Sequence, residues 1–318
     1  MPVGPDVVTI GEMMVILVAE QAGALREAAT FRRHVAGAEG NVAVGLSRLG
    51  CRAGMISRVG DDEFGRAIQF RLRGEAVDIT RFVVDPDAPT GVMFRERREI
   101  GPTDVIYYRR GSAASRLTPA DLDEPYIAGA RYLHMSGITP ALSTSARETV
   151  FAAAEMAKGA GVQVVLDPNM RFKLWSRDEA TRVLRDLATR CDLVLPGLDE
   201  AEMLTGESDP VAAARQLLAL GPTLVIVKLG AAGAVAVDDG GQTLAAATPL
   251  ARMVDPVGAG DGFAAGFLAG QLRGLDLPTS LAVANRAGAM ATTVHADLEG
   301  LPRWDEVASA APTRDVVR

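Results

Sequence analysis

Short aliphatic runs recur along the chain, each closed by turn residues and separated by stretches of helical periodicity. They are VVTIG (7–11), AGMISRVG (53–60), YLHMSG (132–137), VQVVLD (162–167), DLVLP (192–196) and TLVIVKLG (223–230). Most are apolar at odd and even positions alike, as a strand must be when both its faces are covered. Residues 145–158, 177–190 and 209–220 between them read as helices. Strands and helices alternating through short connections pack as a mainly parallel sheet with helices on both faces, so the expected class is α/β. Residues 12–20 and 91–110 break the rhythm. They read as extra strands, the second segment a hairpin turning at Gly101-Pro102, because neither fits as a crossover helix. One domain over 1–318 is expected, with a small β-sheet lid whose strands are inserted at about 12–33 and 91–112.

The core must be aliphatic, since 48% of residues are hydrophobic and only 5% aromatic. A net charge of −7 argues against non-specific binding to nucleic acid or an anionic membrane. It leaves room for an anionic small ligand in a local basic pocket, and the basic residues are almost all arginine; lysine occurs only at 158, 173 and 228. Cys51 and Cys191 have no metal or CxxC spacing and read as a reduced pair, with a disulfide left open. His34, His134 and His295 share no metal spacing and read as structural. The opening MPVGPDVVTIGEMMVILVAE has no basic n-region and reads as a first strand, and no window approaches 18 unbroken apolar residues. A soluble, cytoplasmic protein is expected.

Two glycine-rich stretches carry the chemistry. In DPVGAGDGFAAGFLAG (255–270), Gly258, Ala259 and Gly260 lead into a helix at Asp261. Small residues there let backbone N–H groups approach an anion, and the helix start adds partial positive charge. Gly262, Gly266 and Gly270 follow at i, i+4 and i+8, a bare stripe that can press against the sheet. An aspartate in such a place would repel a resting phosphate. It makes sense as a base that takes a proton from an attacking hydroxyl while phosphate is in transit, or as a cap on a tightly packed helix. The stretch lacks the GK[ST] of a Walker A loop and is not GxGxxG after a first strand, which disfavours a nicotinamide dehydrogenase. AGAEGNVAVGLSRLG (36–50) opens a second helix, with Asn41 as a polar reader and Ala43, Leu46 and Leu49 as an apolar face.

Together, in this order and about two hundred residues apart, the two stretches resemble the paired signatures of the PfkB (ribokinase-like) carbohydrate kinases. The resemblance covers nearly the whole chain. It implies a ribokinase-like fold in which Gly37, Ala38 and Asn41 hold the sugar. Gly258, Ala259 and Gly260 would then form the anion hole, and Asp261 would be the catalytic base. YYRRGSAASRL (107–117), LHMSGITPALS (133–143), LDPNMRFKLW (166–175) and HADLEGLP (295–302) are similar to the 2-keto-3-deoxygluconate kinases within that family. A keto-acid sugar brings a carboxylate, which calls for cations and hydroxyl donors where ribose or fructose would not. Arg109 and Arg171 fit that need, with a solvated surface as the alternative for each. Tyr107 and Tyr108 point to opposite faces of a strand, so only one can reach substrate, and Tyr107 is the candidate. By the resemblance Asp297 accepts from a sugar hydroxyl; a loop-turn role is its alternative.

The chain departs from the pattern in three places. The first signature begins Ala36-Gly37 rather than Gly-Gly, and Met93 stands where an aromatic often touches the sugar, which leaves room for the galactonate epimer. The family's Asn-x-x-Glu element, tied to magnesium and phosphate, is here Gly197-Leu198-Asp199-Glu200; Glu200 remains, and water or a backbone group must replace the asparagine. The resemblance puts Lys228, Gly230, Gly233, Gly260 and Asn285 around ATP, although Lys228 could instead face solvent or a neighbouring carboxylate. It implies Mg²⁺ arriving with ATP, and K⁺ beside Asp255 unless that residue only caps a turn. Transfer of the γ-phosphoryl group to a 6-hydroxyl, under a lid that pairs in a homodimer, completes the expectation. Its rivals are another PfkB kinase, such as a 5-dehydro-2-deoxygluconokinase, fructokinase or ribokinase, and a catalytically idle sugar-acid sensor.

Overall fold

The computed structural model describes residues 4–98, 104–250, 252–295 and 297–308. From the first strand β1 (Val7–Ile10) the chain leaves for β2 (Met14–Ala22) and β3 (Phe31–Ala36), then returns through α1 (Ala38–Arg48). It continues through β4 (Ala53–Gly60), α2 (Glu63–Gly74) and β5 (Asp78–Asp85). A second excursion makes β6 (Val92–Arg97) and β7 (Val105–Tyr108). Then come α3 (Glu124–Ala128), β8 (Tyr132–Ser136), α4 (Thr144–Gly159), β9 (Gln163–Asp167), α5 (Arg177–Ala188) and β10 (Leu193–Val194). The last third holds α6 (Leu198–Thr205), α7 (Pro210–Leu218), β11 (Leu224–Lys228), β12 (Ala234–Asp238) and β13 (Gly241–Ala245). It closes with α8 (Ala259–Leu272), α9 (Leu277–Ala291) and α10 (Trp304–Ala308).

Nine strands form one sheet in the order β13-β12-β11-β10-β9-β8-β1-β4-β5. It is parallel from β11 to β5 and ends in the antiparallel ladders β11–β12 and β12–β13. Side chains alternate across it, so each face has its own core. Val7, Met55 and Val165 pack with α1, α2, α8 and α9, while Val8, Ile10, Leu133 and Leu166 pack with α4, α5 and α7. The two excursions meet as a separate sheet, β3-β2-β6-β7, whose β2–β6 pair is parallel. The expected Gly101-Pro102 turn lies outside the described residues.

The glycine stripe of α8 faces α9, not the sheet. A Cβ on Gly262 would lie 3.0 Å from the Ala287 carbonyl oxygen, one on Gly266 2.9 Å from Ala284 Cα, and one on Gly270 2.8 Å from Ser280 Oγ. A bare stripe announces close approach without naming the partner, and here the partner is a second helix. On another side α8 meets α1 as closely, with a Cβ on Gly45 falling 2.7 Å from Ala265 Cβ. One turn nearer the N-terminus of each helix stand Asn41 and Asp261. The helix–helix contact therefore delivers these two side chains to one point.

Candidate active site

A cavity of about 690 Å³ opens beyond the carboxyl ends of β1, β8, β9, β10 and β11, where ligands bind in open α/β sheets. Its walls come from those strand ends, the starts of α1 and α8, and the lid residues Met14, Ile16, Met93, Arg95, Val105 and Tyr107. Strand alternation places Tyr107 in the cavity and leaves Tyr108 on the outer face, 66% exposed.

Asp261 sits buried in the first turn of α8, where its Oδ2 accepts a 2.7 Å hydrogen bond from Asn41 Nδ2. Burial is the main force that pushes its carboxyl up to about 7; the charges of Asp167 and Asp297 add to it, while the Asn41 hydrogen bond and Arg171 oppose it. A group balanced there is a competent base near neutrality. The helix begins at Gly258, whose φ of +82° suits glycine, and a Cβ there would also crowd the Asp297 carbonyl at 3.0 Å. First-turn amides lack intrahelical acceptors, so this turn presents N–H groups to the cavity through Gly258, Gly260 and Asp261. Ala259, expected to share that task, does not line the cavity, and its N–H turns back toward the Pro256 carbonyl at 3.4 Å.

Lys228, at the end of β11, lines the cavity and donates to Asp167 Oδ2 at 2.6 Å. A Cβ on Gly260 would sit 3.4 Å from its Nζ, so the ammonium stands beside the helix start while paired to a carboxylate. Glu200 accepts from the Met170 and Gly197 amides, each at 2.8 Å. The Gly197 contact is the third helical residue reaching back to the amide at the start of α6. Gly37, Ala38 and Gly230 line the cavity. Gly37 must stay bare because a Cβ would meet the Glu12 carbonyl at 2.2 Å.

Arg171 lines the cavity with its side chain exposed at the mouth, and its charge reaches both Asp261 and Asp297. Arg109 also lines the cavity but is buried and paired. Its Nε donates to Glu12 Oε2 at 2.7 Å, its Nη2 faces the same carboxylate, and Ser112 holds the other oxygen. It is therefore half of a neutral pair rather than a free cation. Asp297 is buried, and burial lifts its carboxyl to about 6 against the pull of Arg95.

Three expected positions stand outside this cavity. The Asn285 amide donates to the Ala245 and Ala246 carbonyls at 3.2 and 2.9 Å, tying α9 to the end of β13, and the residue does not line the cavity. Gly233 does not line it either; it lets the chain cross Ala245, whose carbonyl oxygen a Cβ would meet at 2.1 Å. Asp255 accepts from the Val257 amide at 3.1 Å, as a turn cap does, and pairs with Arg95 where a cation was expected.

Sequence reasoning missed Glu12, Glu39, Arg95, Asp167 and Asn169 as cavity residues. Glu39 is buried, its carboxyl raised by that burial, and takes hydrogen bonds from Ser136 and Thr139 at 2.6 and 2.7 Å. Asn169 adopts φ +36°, a strained value for a residue other than glycine. The motif DPNMR was its only signal.

A helix-start cradle, a buried near-neutral carboxyl and a lysine–carboxylate pair under a lid are the parts of a phosphoryl-transfer site. The pattern of the pfkB family carbohydrate kinases matches residues 5–304, and the chain belongs to that family. It is an enzyme, a phosphotransferase acting on a sugar alcohol group. It is 40% identical to the 2-dehydro-3-deoxygluconokinase of Bacillus subtilis (strain 168), over 96% of this chain and 94% of that one. The enzyme of the same name from Thermoproteus tenax is also 40% identical, over 93% and 91%. The 5-dehydro-2-deoxygluconokinase of Geobacillus thermodenitrificans (strain NG80-2) is 30% identical over 95% and 91%. A PfkB protein from Polaromonas sp. JS666 superposes with a TM-score of 0.89 at 39% identity, over 96% and 100%. An E. coli protein described as a ribokinase II, solved with ATP and Mg²⁺, gives 0.89 at 30%, over 96% and 98%. The ribokinase-like α/β class thus holds, lid sheet included.

Proposed function

We propose that the enzyme transfers the γ-phosphoryl group of ATP to the 6-hydroxyl of 2-keto-3-deoxygluconate (2-dehydro-3-deoxygluconate) or its galactonate epimer. The observation that carries this is the meeting, in one cavity, of Asp261 at a glycine-opened helix start with Tyr107, Arg109 and the unburied Arg171. Two curated relatives of that name at 40% identity, each matched over more than nine-tenths of its length, support the same reading.

In this reading the sugar carboxylate meets Arg171, backed by Tyr107 and the Glu12–Arg109 pair, and Asp297 accepts from a hydroxyl. Asp261, held by Asn41, takes the 6-hydroxyl proton as that oxygen attacks phosphorus. The Gly258, Gly260 and Asp261 amides, with Lys228, receive the charge that builds on the phosphoryl oxygens. Lid closure excludes water that would otherwise hydrolyse ATP.

The site suits magnesium carried in by nucleotide. Among the described residues no group of three or more His, Cys, Asp or Glu side chains could hold a metal, while Asp167, Asp199 and Glu200 line the cavity beside Lys228. Asp199 and Glu200 would meet the nucleotide-borne ion through water, and it would neutralise charge on the transferring phosphates.

Met93 lines the cavity and neither donates nor strongly accepts a hydrogen bond, so discrimination between the two epimers is expected to be weak. On the outer lid face, Phe31, Phe94 and Tyr108 stack edge to face with centroids 5.5 and 5.7 Å apart, and a second copy of the chain is the occupant this patch favours. The test is ADP release with five acceptors: the two 2-keto acids, 5-dehydro-2-deoxygluconate, fructose and ribose. Turnover confined to the 2-keto acids is expected. Preference for 5-dehydro-2-deoxygluconate would move the assignment to that relative's activity, and preference for a neutral sugar would remove the carboxylate role of Arg171.

A further inference from the structure

Arg95 is buried on lid strand β6, 8% exposed, and forms a partition between the main cavity and a second one of about 500 Å³. Its guanidinium pairs with Asp255 in the turn that leads into α8, and its Nη1 lies 3.4 Å from Asp297 Oδ1 in the loop after α9. Those two segments touch each other as well, since a Cβ on Gly258 would stand 3.0 Å from the Asp297 carbonyl. One guanidinium therefore joins the lid, the turn that shapes the anion cradle and the sugar-side loop. Asp255 and Asp297 are both buried, and two buried carboxylates left without a cation would repel each other and carry uncompensated desolvation. A monovalent metal ion beside Asp255 does not fit this arrangement, because Arg95 already supplies its charge.

We propose that Arg95 is the resident cation of the cradle turn and the latch of the lid, a positioning residue that makes the enzyme independent of monovalent metal ions. The proposal rests on the sugar-kinase reading above. With the latch engaged, Asp297 is oriented for a sugar hydroxyl and the turn before Gly258 is fixed, so closing the lid also completes the cradle. Lysine would restore the charge without the planar fork that spans two carboxylates.

The experiment compares wild type, Arg95→Ala and Arg95→Lys in potassium, sodium and choline salts, with and without millimolar guanidinium. The acceptor is the sugar that wild type phosphorylates. Wild-type kcat/KM is expected to be the same in all three salts. Arg95→Ala should lose about 10²-fold, the scale of a misplaced reacting group, and should regain activity with added guanidinium. A merely structural arginine would give no such rescue. Potassium-specific activation of wild type, or an Arg95→Ala enzyme with unchanged kcat and KM, would overturn the proposal. If Arg95→Ala does not fold, Arg95→Lys decides, with lowered kcat in every salt expected and wild-type behaviour refuting the latch. Thermal unfolding of wild type in the three salts needs no sugar. Stabilisation specific to potassium would sink the proposal even if the sugar-acid reading had failed separately.

Discussion

Replacing Asp261 by Asn should make the protein more stable and inactive together. Burial raises this carboxyl from 3.8 to about 7, so between those values the folded chain holds a proton that the unfolded chain has lost. Stability therefore falls as pH rises through that window, and the penalty is complete above about 7. About three pH units at 1.36 kcal/mol each set its scale at about 4 kcal/mol, and relaxation around the charge lowers it to about 2–4 kcal/mol. Asparagine has no charge to desolvate, and its side-chain oxygen can still accept from Asn41. Asp297 titrates in the same range but is present in both proteins, so it largely cancels in their difference. Thermal unfolding without ligands should show Asp261→Asn melting about 4–8 °C above wild type near pH 8, at about 2 °C per kcal/mol for a chain of this size. Near pH 5 the gain should shrink to about two-fifths, because only the first part of the window between 3.8 and about 7 has then been crossed. An equal gain at both pH values would show altered packing rather than a relieved charge. No gain at either would refute the claim that Asp261 is a buried, strained base.

Four other outcomes can be checked. Arg171→Ala should raise KM for the sugar acid about 10–100-fold, the worth of a charge-assisted hydrogen bond, with ATP KM nearly unchanged in steady-state kinetics. Lys228→Met leaves Asp167 buried and unpaired and should cost about 3–5 kcal/mol in urea unfolding, as well as weakening ATP. Gly266→Ala drives a methyl group to 2.9 Å from both Ala284 Cα and Ala287 Cβ and should cost about 1–3 kcal/mol by the same method. Tyr108→Glu places charge on the outer lid patch and should shift the light-scattering mass from two copies to one, with the monomer still folded by circular dichroism.

The parallel core is legible in the sequence because strands covered on both sides must be apolar on both sides. Edge strands are not so constrained. β5 carries Asp78, Thr80 and Arg81 among its apolar residues and looks like surface, and the polar β13 likewise hides the antiparallel edge. The cradle is legible because glycines cluster where backbone must approach an anion, and Asn41 and Asp261 stand in those clusters. Their direct contact is not, since it depends on how α1 and α8 pack across 220 residues of chain. Glu12 and Arg95 escape for the same reason. Their partners lie 97 and 202 residues away, and an isolated acid or arginine on a lid strand carries no local mark of its partner. Arg109 shows the converse: its type suggested a free cation, and the structure pairs it with buried Glu12.

The measurement that tests the central claim most directly is the pH dependence of kcat/KM for the 2-keto acid, run on wild type and Asp261→Asn at saturating ATP. Wild type should rise with pH along a limb between about 6 and about 7, where Asp297 and Asp261 lose their protons, and then level off. Asp261→Asn should fall by about 10²–10⁴-fold and keep no limb near 7. A variant that retains most of its turnover, or a wild-type profile flat through neutrality, would contradict the assignment of Asp261 as the base.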